Sequence, residues 1–405
     1  MNRSPASLRL TIWQFDTLCN RSYTCSALRN PRPERVPMLK RLLTFFLIAA
    51  SATLGFAQDH RKSHQPKLTP QKSGTTQLLI AVSPVNDRIV WASGTGGTYT
   101  VTTDGGNTWK AGVVPGAEHL QFRDVHAVSD KVAYLMSIGN YTRSFRIYKT
   151  VDGGSTWTIE FKNELENAFY DCFAFWTPDR GVAQSDSVNG VFPDIRTTDG
   201  TTWQSIANNM PPALTGEASF AASGTCITTE GENNAWIATG GATIARILAT
   251  TDGGDTWNAY DTPLVSSSTA GGISVAFRDS KNGVVGGGDL SSNSSADMAT
   301  SHDGGQTWQL TTTPPVSGAI FCLSYVEGKG HGHVKEGDGS GKHAVVITAE
   351  TEPDFNSGSG AWTPDEGQTW FNLPKKVSGY WAVAFASPKA GWFVGNNGKI
   401  LKISF

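Results

Sequence analysis

One short phrase recurs through the chain and restricts its fold more than any other feature. It reads TTDGGNTW at residues 102–109, TVDGGSTW at 150–157, TTDGGDTW at 250–257 and SHDGGQTW at 301–308. Two variants complete the series: TTDGTTW at 197–203, one residue shorter, and TPDEGQTW at 363–370, with Glu366 in place of a glycine. The aspartates Asp104, Asp152, Asp199, Asp252, Asp303 and Asp365 stand 47 to 62 residues apart. Propeller and kelch repeats have periods of ~40–50 residues. An Asp side chain accepts hydrogen bonds from the amides of a following turn, and Gly supplies the positive φ of a tight hairpin. The tryptophans Trp109, Trp157, Trp203, Trp257, Trp308 and Trp370 would cover these turns from the sheet. The phrase therefore reads as structural.

Between the phrases a second pattern repeats: an alternating apolar strand, a turn, a strand ending in Gly, and a third strand running into the phrase. LLIAVSPVNDRIVWASGTGGTYTVTTDGG shows it in full. The phrase then lies in the hairpin between strands three and four. A seventh unit, YWAVAFASPKAGWFVGNNGKILKISF, stops at Phe405 after its third strand. The expected fold is all-β: a seven-bladed β-propeller of four-stranded antiparallel blades, the last blade closed by an N-terminal strand around residues 71–77. Closure of this kind removes exposed sheet edges. Forty-four glycines and 13 tryptophans suit many short strands joined by tight turns.

The phrases match the Asp-box, or BNR, repeat of bacterial sialidases, some glucan hydrolases and sortilin-type receptors. Seven repeats in one chain, inner strands such as FRDVHAV and SVAFRD, and the terminal GWFVGNNGKILK resemble the photosystem II stability/assembly factor family over about residues 76–405. That resemblance implies a propeller with a binding habit, and exported bacterial members without photosynthesis share it. A sialidase would further need three arginines converging on a carboxylate, a Tyr nucleophile with its Glu, and an Asp acid. Arg146, in FRIY, runs directly into the phrase at Thr150 and reads as a third-strand residue.

Ahead of the repeats, Lys40 and Arg41 precede the apolar run 42–50, and Gly55 and Ala57 occupy small-residue positions before Gln58. This is the layout of a secretory signal peptide. The expected organisation is an extension at 1–37, a signal peptide at 38–57 cleaved near Ala57, a linker at 58–75 and the propeller at 76–405. The chain is expected to be exported, periplasmic or extracellular, with no transmembrane segment after cleavage. Cleavage would remove Cys19 and Cys25. Cys172, Cys226 and Cys322 are read as small buried hydrophobes, although Cys172 and Cys226 fall in successive repeats and could pair.

A formal charge of -2 and 17% charged residues provide no field to gather nucleic acid. The ligand site is expected where loops entering the innermost strands crowd the axis. By repeat position its candidates are Arg123, Asp124 and His126, Tyr170 and Asp171, Asp186, Glu217 and Ser219, and Tyr380 and Trp381. Acids, an Arg, a His and aromatics suit a polar peptide or a sugar. His331, His333 and His343 match no compact zinc spacing, and the glycine runs at 96–97 and 286–288 precede no helix that would cradle phosphate. No cofactor, metal or catalytic residue is expected. The leading reading is a monomeric, non-catalytic binding or assembly propeller with a protein or glycan partner. The alternatives are an extracellular glycosidase using Asp171 and Glu217 as paired acids, and a purely structural component of a larger assembly.

Overall fold

The computed structural model describes residues 65–138, 144–292, 296–327, 343–350, 358–374 and 376–405. The signal-like segment and its flanks, Cys19, Cys25, His331 and His333 lie outside the described residues. Seven four-stranded antiparallel sheets form the blades. Blades 1 to 6 span residues 79–113, 121–162, 170–205, 227–261, 270–310 and 319–372, with their strands hydrogen-bonded in chain order. Blade 7 takes three strands from residues 380–404 and its fourth from Lys67–Lys72. First strands of neighbouring blades touch one another around the whole ring, including blade 7 against blade 1. They are thus the innermost strands. The seven-bladed fold is as expected from the repeat.

Strands alternate in direction within a blade, so its connections sort onto two faces. Hairpins joining first to second and third to fourth strands lie on one face, which carries all six Asp-Gly-Thr-Trp turns. Loops leaving the second and fourth strands lie on the other, here called the loop face.

Each repeated aspartate acts as the turn's internal acceptor. Asp104 Oδ1 accepts from the Thr108 amide at 2.9 Å and the Thr102 hydroxyl at 2.8 Å, while Oδ2 accepts from the Thr108 hydroxyl at 2.6 Å. Asp152, Asp252, Asp303 and Asp365 repeat this arrangement. In the shortened turn Asp199 Oδ1 accepts from the amides of Thr201 and Thr202. Glu366 keeps the φ of +52° that its position demands, and its carboxylate accepts from Arg278 at 3.0 Å and the Tyr325 hydroxyl at 2.7 Å. A left-handed non-glycine residue is costly, and these two partners hold it in place.

The aromatic residues join blades to one another. Trp157, which ends the blade 2 turn, packs edge-on against Trp91 and Tyr99 of blade 1. Trp236 of blade 4 stacks on Phe277 of blade 5 with centroids 3.6 Å apart, and its indole N–H donates to Gly304 O at 2.8 Å. Burying the ring while satisfying its N–H is the condition for placing Trp in a core.

The closing strand, Lys67–Lys72, overlaps the expected 71–77 only at its C-terminal end and lies inside the stretch read as a linker. Lys67 pairs with Ser404 and Lys72 with Lys399. Gln71 reaches the first turn of blade 1, accepting from the Trp109 indole at 3.1 Å. The cysteines differ from the thiol reading: Cys172 and Cys226 form a disulfide, with Cα atoms 6.1 Å apart, and Cys322 is a buried free thiol. Cys226 stays in the blade 4 ladder, its carbonyl accepting from the Ala238 amide at 2.8 Å, and reaches Cys172 because the inner strands of blades 3 and 4 are neighbours.

Asp252→Ala removes the acceptor for Thr250 and Thr256 and should lower stability by about 1–3 kcal/mol in thermal unfolding. Asp104 is held at about 2, first by the Thr108 hydroxyl and then by its amide, and Asp152 at about 2 by Thr156 in the same way. Both folded values lie below the unfolded one of 3.8. Their stabilisation is complete above that value and lost as pH falls towards 2. The unfolding midpoint should drop across this window, and less so in Asp104→Asn. The disulfide closes a sequence separation of 54, so Cys226→Ser should cost about 2–4 kcal/mol.

Candidate functional site

The centre of the ring is occupied by the chain itself. Ala218 pairs with Gly240, and Ile227 pairs with Ile237, so only Ala238 and Thr239 separate these partners on the second strand of blade 4. On the other side residues 219–225 bulge out of the ladder, which resumes where Cys226 O accepts from Ala238 N at 2.8 Å. Their contacts span the ring: the Ala221 carbonyl accepts from Arg123 of blade 2, and Ser223 Oγ donates to Phe321 O of blade 6 at 2.7 Å. Thr225 and Ser274 of blade 5 share a hydroxyl hydrogen bond of 2.7 Å. Ala222 belongs to one apolar cluster with Ile80 of blade 1, Ile273, Phe321 and Trp381 of blade 7, with Phe220 packed against it. This axial plug was not anticipated, because FAASGT reads as the start of an ordinary inner strand.

The candidate residues divide accordingly. Arg123 lies at the plug, donating to Ala221 and standing 5.3 Å from the Trp381 ring centre. Asp124 is buried and accepts from the amides of Val125 and Phe173, which ties blade 2 to blade 3. His126 lies near the opposite end of the same strand, in register with Tyr134 and stacked on Phe175 at 4.4 Å. It belongs to the interface of blades 2 and 3. Tyr170 is buried against Phe145 at 4.1 Å and donates to Pro193 O at 2.9 Å. Tyr380 is buried near Phe393. Six of the expected residues, Trp381 in the plug's apolar cluster among them, then serve packing or the plug.

Asp171, Asp186, Glu217 and Ser219 do converge, at the junction of blades 3 and 4. Asp186 Oδ1 accepts from the Ser219 amide at 3.0 Å, and Ser219 Oγ donates to Ala238 O at 2.8 Å. Glu217 is buried, and the guanidinium of Arg246 grips both its carboxylate oxygens, Nε lying 2.9 Å from Oε1. Its charge is thereby spent. Burial pushes Asp171 well above the usual carboxylate range, reinforced by the charge of Asp186, to which it donates a hydrogen bond, and of Asp194. Burial also raises Asp194 well above that range, and takes Asp186 up to about 6. Among the described residues the second oxygens of Asp171 and Asp194 find no hydrogen-bond partner, as fits acids that stay protonated. Arg246 and Asp194 were missed by the repeat-position reading. Arg246 occupies the slot of Arg146 before its turn, the only sequence sign of its role.

Next to this cluster an open cleft of about 400 Å³ lies between the 186–190 turn and the 213–218 loop, with Asp186 and Glu217 in its lining. Backbone bonds from Ala213 N to Gly190 O and from Ser187 N to Glu217 O hold its two walls together. Among the described residues no group of three His, Cys, Asp or Glu is placed to hold a metal. His343 lies 3.5 Å from Glu327, away from this cleft. No described helix is long and apolar enough to cross a membrane.

These features define a seven-bladed propeller with a filled axis and a cleft on its loop face, and solved structures share its fold. The chain is similar to YCF48 bound to D1 peptide, with TM-score 0.57 and 15% identity over 85% of this chain and 96% of that one. YCF48 from Cyanidioschyzon merolae gives 0.56 and 15% over 83% and 98%. The WD40 β-propeller domain of Doa1 gives 0.52 and 12% over 84% and 96%. At these identities the likeness is one of fold. No protein-family model and no curated protein matches the sequence.

The folded value of Asp186 lies above its unfolded 3.8, so its ionisation opposes folding as pH rises from that value through about 6. Asp186→Asn keeps an acceptor for Ser219 and cannot ionise. It should raise stability at pH 8 by an amount on the order of 1–3 kcal/mol, with much less gain at pH 5, measured by denaturant unfolding at both pH values.

Proposed function

We propose that the chain is an exported, non-catalytic binding propeller that takes a protein segment in the cleft between blades 3 and 4. The observation that carries this reading is the division of labour around Asp186. The axis is filled, Glu217 is neutralised by Arg246 and Asp171 is buried, while the cleft stays open between the 186–190 turn and the 213–218 loop. A retaining or inverting glycosidase needs two carboxyl groups facing one open site. Of the acids such an activity would require here, Asp171 is buried in protein, and Glu217, although it lines the cleft, is held at both oxygens by Arg246.

YCF48 has been solved with a D1 peptide, and that precedent on the same fold favours a protein segment over a glycan. An assembly role of the photosystem II assembly-factor type is the finer form of this reading. The signal-like residues 38–57 support export. A propeller suits recognition because its blades hold the loops rigidly, so that little ordering cost falls on the binding event.

Thr215 is exposed and lines the cleft. Thr215→Trp should fill the cleft and weaken binding of a randomised 12-residue peptide pool at least ten-fold with no change in the unfolding midpoint. The full chain should release no chromophore from a panel of chromogenic glycosides. Turnover that disappears in Glu217→Gln would establish the glycosidase instead.

A further inference from the structure

The ligand's chemistry follows from what surrounds the cleft, on the reading that a peptide binds there. Hydrogen bonds connect the loops of this face into one surface. Asp186 N donates to Phe169 O, Ala218 N to Gly240 O, and Ser266 Oγ to Ala242 O. Along the described loops 163–169, 186–194, 206–226, 239–245, 262–269 and 289–292 there is no Lys or Arg. The same loops carry Glu164, Glu166, Asp186, Asp194, Glu217 and Asp289. The bordering cations are spoken for or peripheral: Arg246 grips Glu217, Arg146 donates to the Tyr148 hydroxyl at 3.1 Å, and Lys162, in register with it, ends the outermost strand of blade 2.

The face is also apolar where it is exposed. Leu165 is 54% exposed, Val191 47%, Val265 44% and Ile244 40%. They make up half of the eight large hydrophobic residues described as exposed, and each lies on a loop-face connection between blades 2 and 5. Val191 closes the turn that begins at Asp186, through its bridge to Val188. Isolated exposed aliphatics are ordinary, whereas several on one connected face beside a cleft mark an interaction surface.

We propose that this face binds an extended peptide segment in which a Lys or Arg side chain enters the cleft towards Asp186 and flanking aliphatic residues cover Val191 and its neighbours. The aliphatic contacts supply buried area, and the cation supplies selection. Charge complementarity across an interface sets partner choice and encounter rate more than affinity. An acidic segment would meet Asp186 and the exposed Glu164 and Glu166 and be rejected. A cation in the cleft would also favour the ionised form of Asp186. The charged groups around that carboxyl are Asp171 on the adjoining inner strand, itself influenced by Arg123, Asp194 at the next strand, and the Glu217–Arg246 pair on the facing loop. Binding therefore strengthens as pH rises through about 6, the value to which Asp186 is raised.

The test is selection by the full chain from an array of randomised 12-residue peptides, with a glycan array in parallel. The expected result is enrichment of peptides with Lys or Arg flanked by aliphatic residues. Changing the basic residue to Glu should weaken binding at least ten-fold, and changing it to Gln about three-fold or more. Asp186→Asn should abolish the preference of Lys over Gln while the protein remains folded, and Val191→Asp should weaken all the selected peptides. Enrichment without charge bias, or enrichment of acidic peptides, overturns this proposal and leaves the peptide-binding reading intact. Binding confined to the glycan array, or no peptide bound at all, overturns both.

Discussion

The ring depends on one antiparallel pairing between the two ends of the propeller. Lys67–Lys72 supplies the outer strand of a blade whose other three strands come from residues 380–404. Two side chains strengthen the join to blade 1. Gln71 meets the Trp109 indole, and Lys402 Nζ donates to the Gly105 carbonyl at 3.0 Å. Bringing distant segments together costs loop entropy that grows only slowly with length. The gain is large by comparison, because closure leaves blade 7 without the bare edge that an open array presents. The contacts of blade 7 with blade 1, and those of the plug across the axis, presuppose that the ring has closed.

The turns were legible in the sequence because their chemistry is local. A carboxylate that accepts from a hydroxyl two residues earlier and from an amide and hydroxyl later in the turn fixes both residue types and spacing. Even Glu366 departs from the phrase for a readable reason once Arg278 and Tyr325 are seen to hold it. The closing strand was placed too far downstream. PKLTPQK contains Pro66 and Pro70, which argue against a strand by propensity. Pro70 is tolerated because its strand is the outermost of the blade, where a missing N–H need cost no ladder bond.

The site was only half legible. Asp171, Asp186, Glu217 and Ser219 were found by repeat position, and they do meet. Their condition was not foreseen, since burial and pairing are three-dimensional facts: Glu217 looks like a loop acid until Arg246, from the third strand of the same blade, reaches it. His126 illustrates the opposite error. It shares a strand with Asp124, yet the strand crosses the thickness of the ring, so His126 ends among aromatics on the far side. A repeat alignment gives a residue's blade and strand but not its height along the axis.

The axial plug carries a consequence for how the molecule holds together. Arrays of repeats generally behave as chains of nearest neighbours, which fold and unfold in pieces and tolerate the gain or loss of a unit. Residues 219–225 bond or pack against blades on every side of the ring, through Arg123, Ser274, Phe321 and Trp381. Their fit also depends on the bore of the channel, which is set by the number of blades. A six-bladed descendant would have no room for Phe220 and Ala222, and an eight-bladed one would leave them unsupported. The segment thus acts as a gauge that fixes the count at seven.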